Sequence, residues 1–188
     1  MRTLVRVQAN QLLLRWEPNT EPLWTAGIRQ GYYIERKVVS RNNVPVTESF
    51  TRLTAQPIMP ANVATWTPYL QPDSVQHQTL YRLVTGQDTV ARGADSANLA
   101  RPVGEPDSFR RFFFGLLAAS QSYSAARLAA LGYIDTTLQP NERYQYRVVL
   151  AVPPSNTTVD YSATNPIGLA DYTPSAPPMK PKLTFERY

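Results

Sequence analysis

The sequence predicts an antiparallel β-sandwich interrupted by a mostly helical insertion: mainly β in its frame, α+β overall. Three observations carry this. Tyr144, Tyr146, Val148 and Leu150 alternate with Gln145, Arg147 and Val149, which puts the first four on one face of a sheet. Leu12, Leu14 and Trp16 alternate in the same way near the N-terminus, followed by Tyr32 and Ile34 in GYYIERKVV. Between these two regions Phe109, Phe112, Phe113, Leu116 and Leu117 fall at i, i+3, i+4, i+7 and i+8, the spacing of one helix face.

The bulk numbers agree with an ordered protein. The chain has 188 residues, 43% hydrophobic and 18% charged, long enough to bury a substantial core. Seventeen prolines against eight glycines, with eleven tyrosines, favour strands and irregular connections over a helical bundle. A net charge of +5 makes nucleic acid, acidic glycans and anionic membranes conceivable partners, but the basic residues are scattered and form no run. The absence of cysteine excludes disulfides and thiolate metal sites. No apolar run approaches the ~20 residues of a membrane span, so membrane insertion is disfavoured. No leader peptide is legible, because Met1-Arg2 runs straight into a strand pattern; the preferred expectation is a Met1 that replaces a removed leader.

Taken in order, Thr3–Val7 reads as an edge strand, and Asn10-Gln11 turns the chain into the Leu12–Trp16 strand, ending at Glu17-Pro18. Residues 19–30 read as a connection whose regularity is broken by Pro22 and Gly27, with a short helical turn tucking Trp24 under the sheet. Tyr32, Ile34, Arg36 and Val38 share a face, with Tyr32 and Ile34 directed at the core. Arg41-Asn42-Asn43 is a hairpin turn, and Val44–Leu53 returns as a strand.

Roughly eighty residues, Thr54 to about Gly132, then read as helical. Ala61–Trp66 is a short helix stopped by Pro68; Asp73 with Gln76 has capping-box spacing before Leu80, Leu83 and Val84. Gln87–Asp107 is polar and reads as a long mobile loop. Asp107 or Ser108 caps the Phe109–Leu117 helix, with Arg110 and Arg111 pointing away and Phe114 beside the apolar seam; Ser124–Leu131 is a second helix. Tyr133–Leu138 resumes the sheet, Pro140-Asn141 turns into the Tyr144 strand, and Val159–Ser162 with Asn165–Tyr172 supply the last hairpin partner. Residues 173–178 form a proline-rich linker, and 179–188 read as the start of a further domain or a C-terminal arm.

Leu138-x-Pro140-x-x-x-Tyr144-x-x-x-Val148, Trp16 near a strand end with Pro18 after it, and Gly31-Tyr32-x-Ile34 together resemble a fibronectin type III domain. The resemblance covers two strand blocks, 3–53 and 133–175, within a domain of residues 1–175 that carries an insertion at about 54–132. It implies a sandwich core built on Trp16, Tyr32, Ile34, Leu138, Pro140, Tyr144, Tyr146 and Val148, with Tyr144 as a tyrosine corner whose hydroxyl reaches backbone upstream. It also implies an extracellular or cell-surface setting, of the kind found in bacterial surface or secreted multidomain proteins.

Chemistry is sparse. His77 is the sole histidine, so a Ser-His-acid triad would have to use it; it is read as a surface or capping residue. No nucleophile elbow, phosphate loop or paired-histidine motif occurs. The acids form no dense cluster for a glycosidase, and Asp88 and Asp95 lack calcium-loop spacing. Arg110-Arg111 beside the phenylalanines reads as core packing rather than a membrane-binding helix. Tyr33, Lys37 and Arg147 give some of the interleaving of base and aromatic that nucleic-acid binding needs, on an outward sheet face, but tyrosines there are common in the resembled fold for packing alone, so nucleic acid is disfavoured. The reading that follows is a non-catalytic binding or scaffolding module without a cofactor. Its insertion would engage a protein partner or neighbouring subunit, or a glycan, and Phe114, Tyr123, Arg110 and Arg111 are the candidate surface. The alternative is a structural subunit of a large assembly, such as a phage tail or contractile injection particle.

Overall fold

Period-two alternation near the N-terminus becomes a tight hairpin. In the computed structural model, which describes residues 1–86, 107–155 and 157–174, β1 (Arg2–Gln8) pairs antiparallel with β2 (Gln11–Glu17). The inward set of β2, Leu12, Leu14 and Trp16, is fully buried. On its other side β2 pairs with β6 (Gly132–Asp135), completing a three-stranded sheet in the order β1-β2-β6.

The second sheet is built on β3 (Tyr32–Arg41) and β7 (Glu142–Leu150), paired antiparallel from Tyr32↔Leu150 to Arg41↔Glu142 with one irregularity between Val38 and Ser40. The turn into β4 (Val44–Pro45) uses Asn42 and Asn43 at φ 51° and 62°, left-handed conformations that asparagine tolerates. The return strand is not continuous to Leu53. β4 and β5 (Thr51–Arg52) both pair with β3, but their registers differ by two residues and 47–50 bulges out between them. Pro45 sits where its missing N–H faces away from β3, and the Val46 amide still donates to the Val39 carbonyl at 3.0 Å, so the break falls after Val46. The last hairpin partner is reduced to an isolated bridge, Ile167 beside Tyr144, and a 3-10 turn at Leu169–Asp171.

The sheets share one core. Trp16 meets Tyr32 edge-on at 5.4 Å between ring centroids, and Tyr144, Tyr146, Val148 and Leu150 are buried beside them. Leu138 is partly buried against this cluster. Pro140, expected in the core, is exposed: it stands in the turn before β7, where its fixed φ shapes the chain.

Helices wrap this frame. The 19–30 connection is a full helix, α1 (Glu21–Gln30), longer than the single turn expected. Pro22 lies in its first turn, where a missing N–H costs nothing. Gly27 sits inside it because the Tyr32 ring and hydroxyl occupy the space a Cβ would need. Next come α2 (Val63–Trp66), capped by the Asn62 side chain accepting from the Thr65 amide at 3.0 Å, and α3 (Val75–Thr85), closed by Gly86 at φ 75°. Ser74 rather than Asp73 precedes α3, and it makes no side-chain cap. α4 (Asp107–Gln121) and α5 (Tyr123–Leu128) complete the layer, the latter capped by the Ser122 hydroxyl, which accepts from the Ala125 amide. α4 packs against α1, α3 and α5, and α5 against β2 and β6. Trp66, Leu80, Ala118, Ala125 and Leu131 therefore belong to the same buried cluster as Trp16, and the insertion has no separate core among the described residues. The expected polar loop after Gly86, with Asp88 and Asp95, and the features expected beyond Pro174 lie outside the described residues.

Candidate interaction surfaces

α4 decides what the insertion displays, and it is turned relative to the seam its large side chains suggest. The face against the protein is Phe112, Gly115, Ala118 and Ala119. A Cβ on Gly115 would lie 2.5 Å from Trp24 Cη2, so glycine is what lets α4 approach α1. Phe109, Phe113 and Leu117, spaced i, i+4, i+8, are instead 44%, 53% and 44% exposed. The face is rotated by roughly a third of a turn, with Phe112 and Leu116, both partly buried, as its boundary. Small residues drive this: two helices gain more contact by closing to short range over Gly and Ala than by propping themselves apart on phenylalanines.

The four residues expected at the interaction surface do not gather in one place. Arg110, Arg111 and Phe114 lie on α4, all partly buried rather than displayed, and Phe114 stacks edge-on with Phe113 at 5.4 Å. Tyr123 opens α5 and is partly buried too. Its hydroxyl donates to the Tyr133 carbonyl at 2.7 Å, and burial pushes its pKa up to about 12. Tyr123 lies over the outer face of the first sheet, where it lines a groove of about 210 Å³ with Leu4, Val5, Arg6, Leu13 and Arg15. Gly132 keeps that contact close: an added Cβ would sit 3.0 Å from Arg127 Cγ and 3.2 Å from Tyr123 Cε2, so those side chains would have to shift by a few tenths of an ångström.

A buried polar centre lies between the sheets. Asp135, at the end of β6, is 1% exposed and fully partnered. Its carboxylate accepts from Arg36 Nη1 at 2.7 Å, the Tyr146 hydroxyl at 2.8 Å, and the Thr137 amide and hydroxyl at 2.9 and 2.8 Å. Burial alone would push this carboxyl up, but Thr137, Tyr146 and Arg36 outweigh it and hold it below the usual carboxylate range. The partners span both sheets, so the centre ties β6 to β3 and β7. Arg36 also lies over the Tyr144 ring at 4.7 Å. The legible signal was Arg36 on the inward face of its strand, a charge that requires a buried acid.

Histidine chemistry comes closer than spacing suggested. His77 Nε2 lies 2.9 Å from Ser124 Oγ, stacked on Tyr69 at 5.4 Å. Its pKa is lowered by burial. No carboxylate partner to its other nitrogen occurs among the described residues, and neither His77 nor Ser124 lines a groove described here. Among the described residues no three His, Asp or Glu side chains converge as a metal site would need, and no helix is long and apolar enough to cross a membrane.

Compared with protein families, curated proteins and solved structures, the chain matches none of them.

Proposed function

We propose that this chain is a non-catalytic protein-binding module, in which a sandwich frame resembling fibronectin type III presents a helical layer to a partner. Support for the frame comes from two strand sets, β1-β2-β6 and β4/β5-β3-β7. It comes equally from the Gln139 amide, which donates to the Tyr144 hydroxyl at 2.7 Å as a tyrosine corner requires. The observation that carries the binding reading is the α4 stripe. Phe109, Phe113 and Leu117 form a line of large apolar side chains on one helix, each more than two-fifths exposed. Aligned aromatic and aliphatic anchors of this kind are what a protein groove recognises. A cell-envelope or extracellular setting goes with this reading.

The test is a photocrosslinking residue placed at Phe113 and, as a control, at exposed Arg82 on α3. A discrete adduct from position 113, absent from 82 and lost in a Phe109→Ser/Phe113→Ser/Leu117→Ser variant that still folds, supports the reading. Identical patterns from both positions would remove it. An adduct between copies of the chain itself would favour the assembly-subunit alternative.

A further inference from the structure

We infer that the open edge of β1 is a second docking site, one that takes an added strand from an acidic extended segment of a partner protein. The argument begins with one bond. The Trp16 amide donates to the Leu131 carbonyl at 3.1 Å, on the β6 side. Amides along a strand alternate sides, so those of Leu13, Arg15 and Glu17 point to β1. Their register partners Arg6, Leu4 and Arg2 face β2 in return. Thr3, Val5 and Val7 therefore direct their N–H and C=O groups away from the sheet. No backbone hydrogen bond among the described residues reaches them. The 157–174 stretch of the same chain flanks β1 without adding a strand to it, and the Leu169–Asp171 turn lies against the strand. The Met1 nitrogen donates to the Asp160 carbonyl at 3.1 Å, and at the other end a groove of about 340 Å³ separates Arg6–Asn10 from Tyr172 and Thr173. A row of outward amides beside such a groove is a template for strand addition.

Side chains set the occupant's character. On the inter-sheet side of the edge stand Thr3, Val5 and Val7, all partly buried, which call for apolar neighbours. On the outer side stand Arg2, Leu4 and Arg6, all exposed, with Arg15 lining the same groove as Leu4 and Arg6. Arg2 and Arg6 form no ion pair among the described residues. The complementary strand carries acid, apolar, acid at alternate positions and β-branched residues between. A second copy pairing through its own β1 would set arginine against arginine, which is unfavourable for directly opposed side chains. The chain's segment 180–188, with Lys180, Lys182 and Arg187 against Glu186, has the wrong sign. The row of backbone groups distinguishes an extended peptide from nucleic acid, which would use the arginines and leave the amides idle.

The probe is the peptide Val-Glu-Val-Leu-Val-Glu-Val, as long as β1 and symmetric in its alternation. Added to the full chain, it is expected to slow hydrogen exchange at the Thr3, Val5 and Val7 amides and to bind more weakly as salt rises. The lysine version should bind worse, and Arg6→Glu should cost about twofold to fivefold in affinity for the glutamate peptide. Val5→Pro removes one outward amide without touching the β2 ladder and should abolish the exchange protection. Several results would overturn the proposal: these amides already protected before peptide is added, equal binding of a peptide with its glutamates moved to one end, a β1-dependent dimer, or an oligonucleotide that competes by slowing exchange nowhere on β1. If Val5→Pro fails to fold, the Arg6→Glu affinity and the exchange map decide alone.

Discussion

Three tyrosines of the core show how partners, not residue type, set a side chain's contribution. Tyr144 accepts from the Gln139 amide and donates to Glu142 Oε2, both at 2.7 Å. Tyr144→Phe leaves a backbone N–H without its acceptor, and chemical denaturation should show a loss of about 1–3 kcal/mol. Tyr32 is equally buried, but its hydroxyl has no protein partner among the described residues, and burial pushes its pKa far up. Tyr32→Phe should therefore be neutral or stabilising in the same assay. Tyr146 donates to Asp135, the most consequential of these groups. Replacing Asp135 by alanine strands Arg36 and Tyr146 between the sheets and should cost about 3–5 kcal/mol. The acid response has a definite sign. The folded pKa of Asp135 lies below its unfolded value, so its contribution is fully present above about pH 4 and is lost as pH falls through the folded pKa. Denaturation midpoints measured from pH 7 downward should fall more steeply at the acid end for the native chain than for Asp135→Asn.

At the scale of elements, strands were more legible than helices. A strand shows its buried face by strict alternation, and Leu12, Leu14, Trp16, Tyr32 and Ile34 are buried on the side that pattern implies. A helix face is a softer signal, because several stripes on one cylinder can be apolar. On α4 the bulky stripe and the small-residue stripe compete, and Gly115, Ala118 and Ala119 win because they permit close approach to Trp24. The same logic buries Ala125, Ala126, Ala129 and Ala130 around α5, a cluster that size alone would not single out. Gly27 and Pro22 misled for a related reason: each breaks a helix on propensity, yet one answers a ring packed against it and the other occupies a first turn. Gly115→Leu should push α4 off α1 and cost about 1–3 kcal/mol by overpacking. Phe113→Ser should stay within about 0.5 kcal/mol of the native chain, since it removes only exposed surface. The inverse ranking would restore the seam that periodicity suggests.

For the whole molecule, the sheets and the helical layer share one buried cluster, with Trp16 at the sheet junction and Trp66 under α3. A core continuous across both should unfold as a unit, so tryptophan fluorescence and far-ultraviolet circular dichroism should give coincident transitions. Trp16→Ala should lower both together by about 3–5 kcal/mol. Arg36 on an inward face signals that a buried acid exists, but not which one, and the direction of the β1 edge has no local signal: Arg36 meets Asp135 across the sheets, and the edge is fixed by where Leu131 receives the Trp16 amide. Local pattern reaches elements; it does not reach their pairing. The proposed binding role turns on one feature above all, the orientation of α4. The native chain has no cysteine, so single thiols introduced at Phe113 and at Ala119 report that orientation by their rates of alkylation. The account predicts rapid labelling at position 113 and labelling more than about a hundredfold slower at 119, limited by opening of the fold. Slow labelling at 113 with rapid labelling at 119 would contradict it.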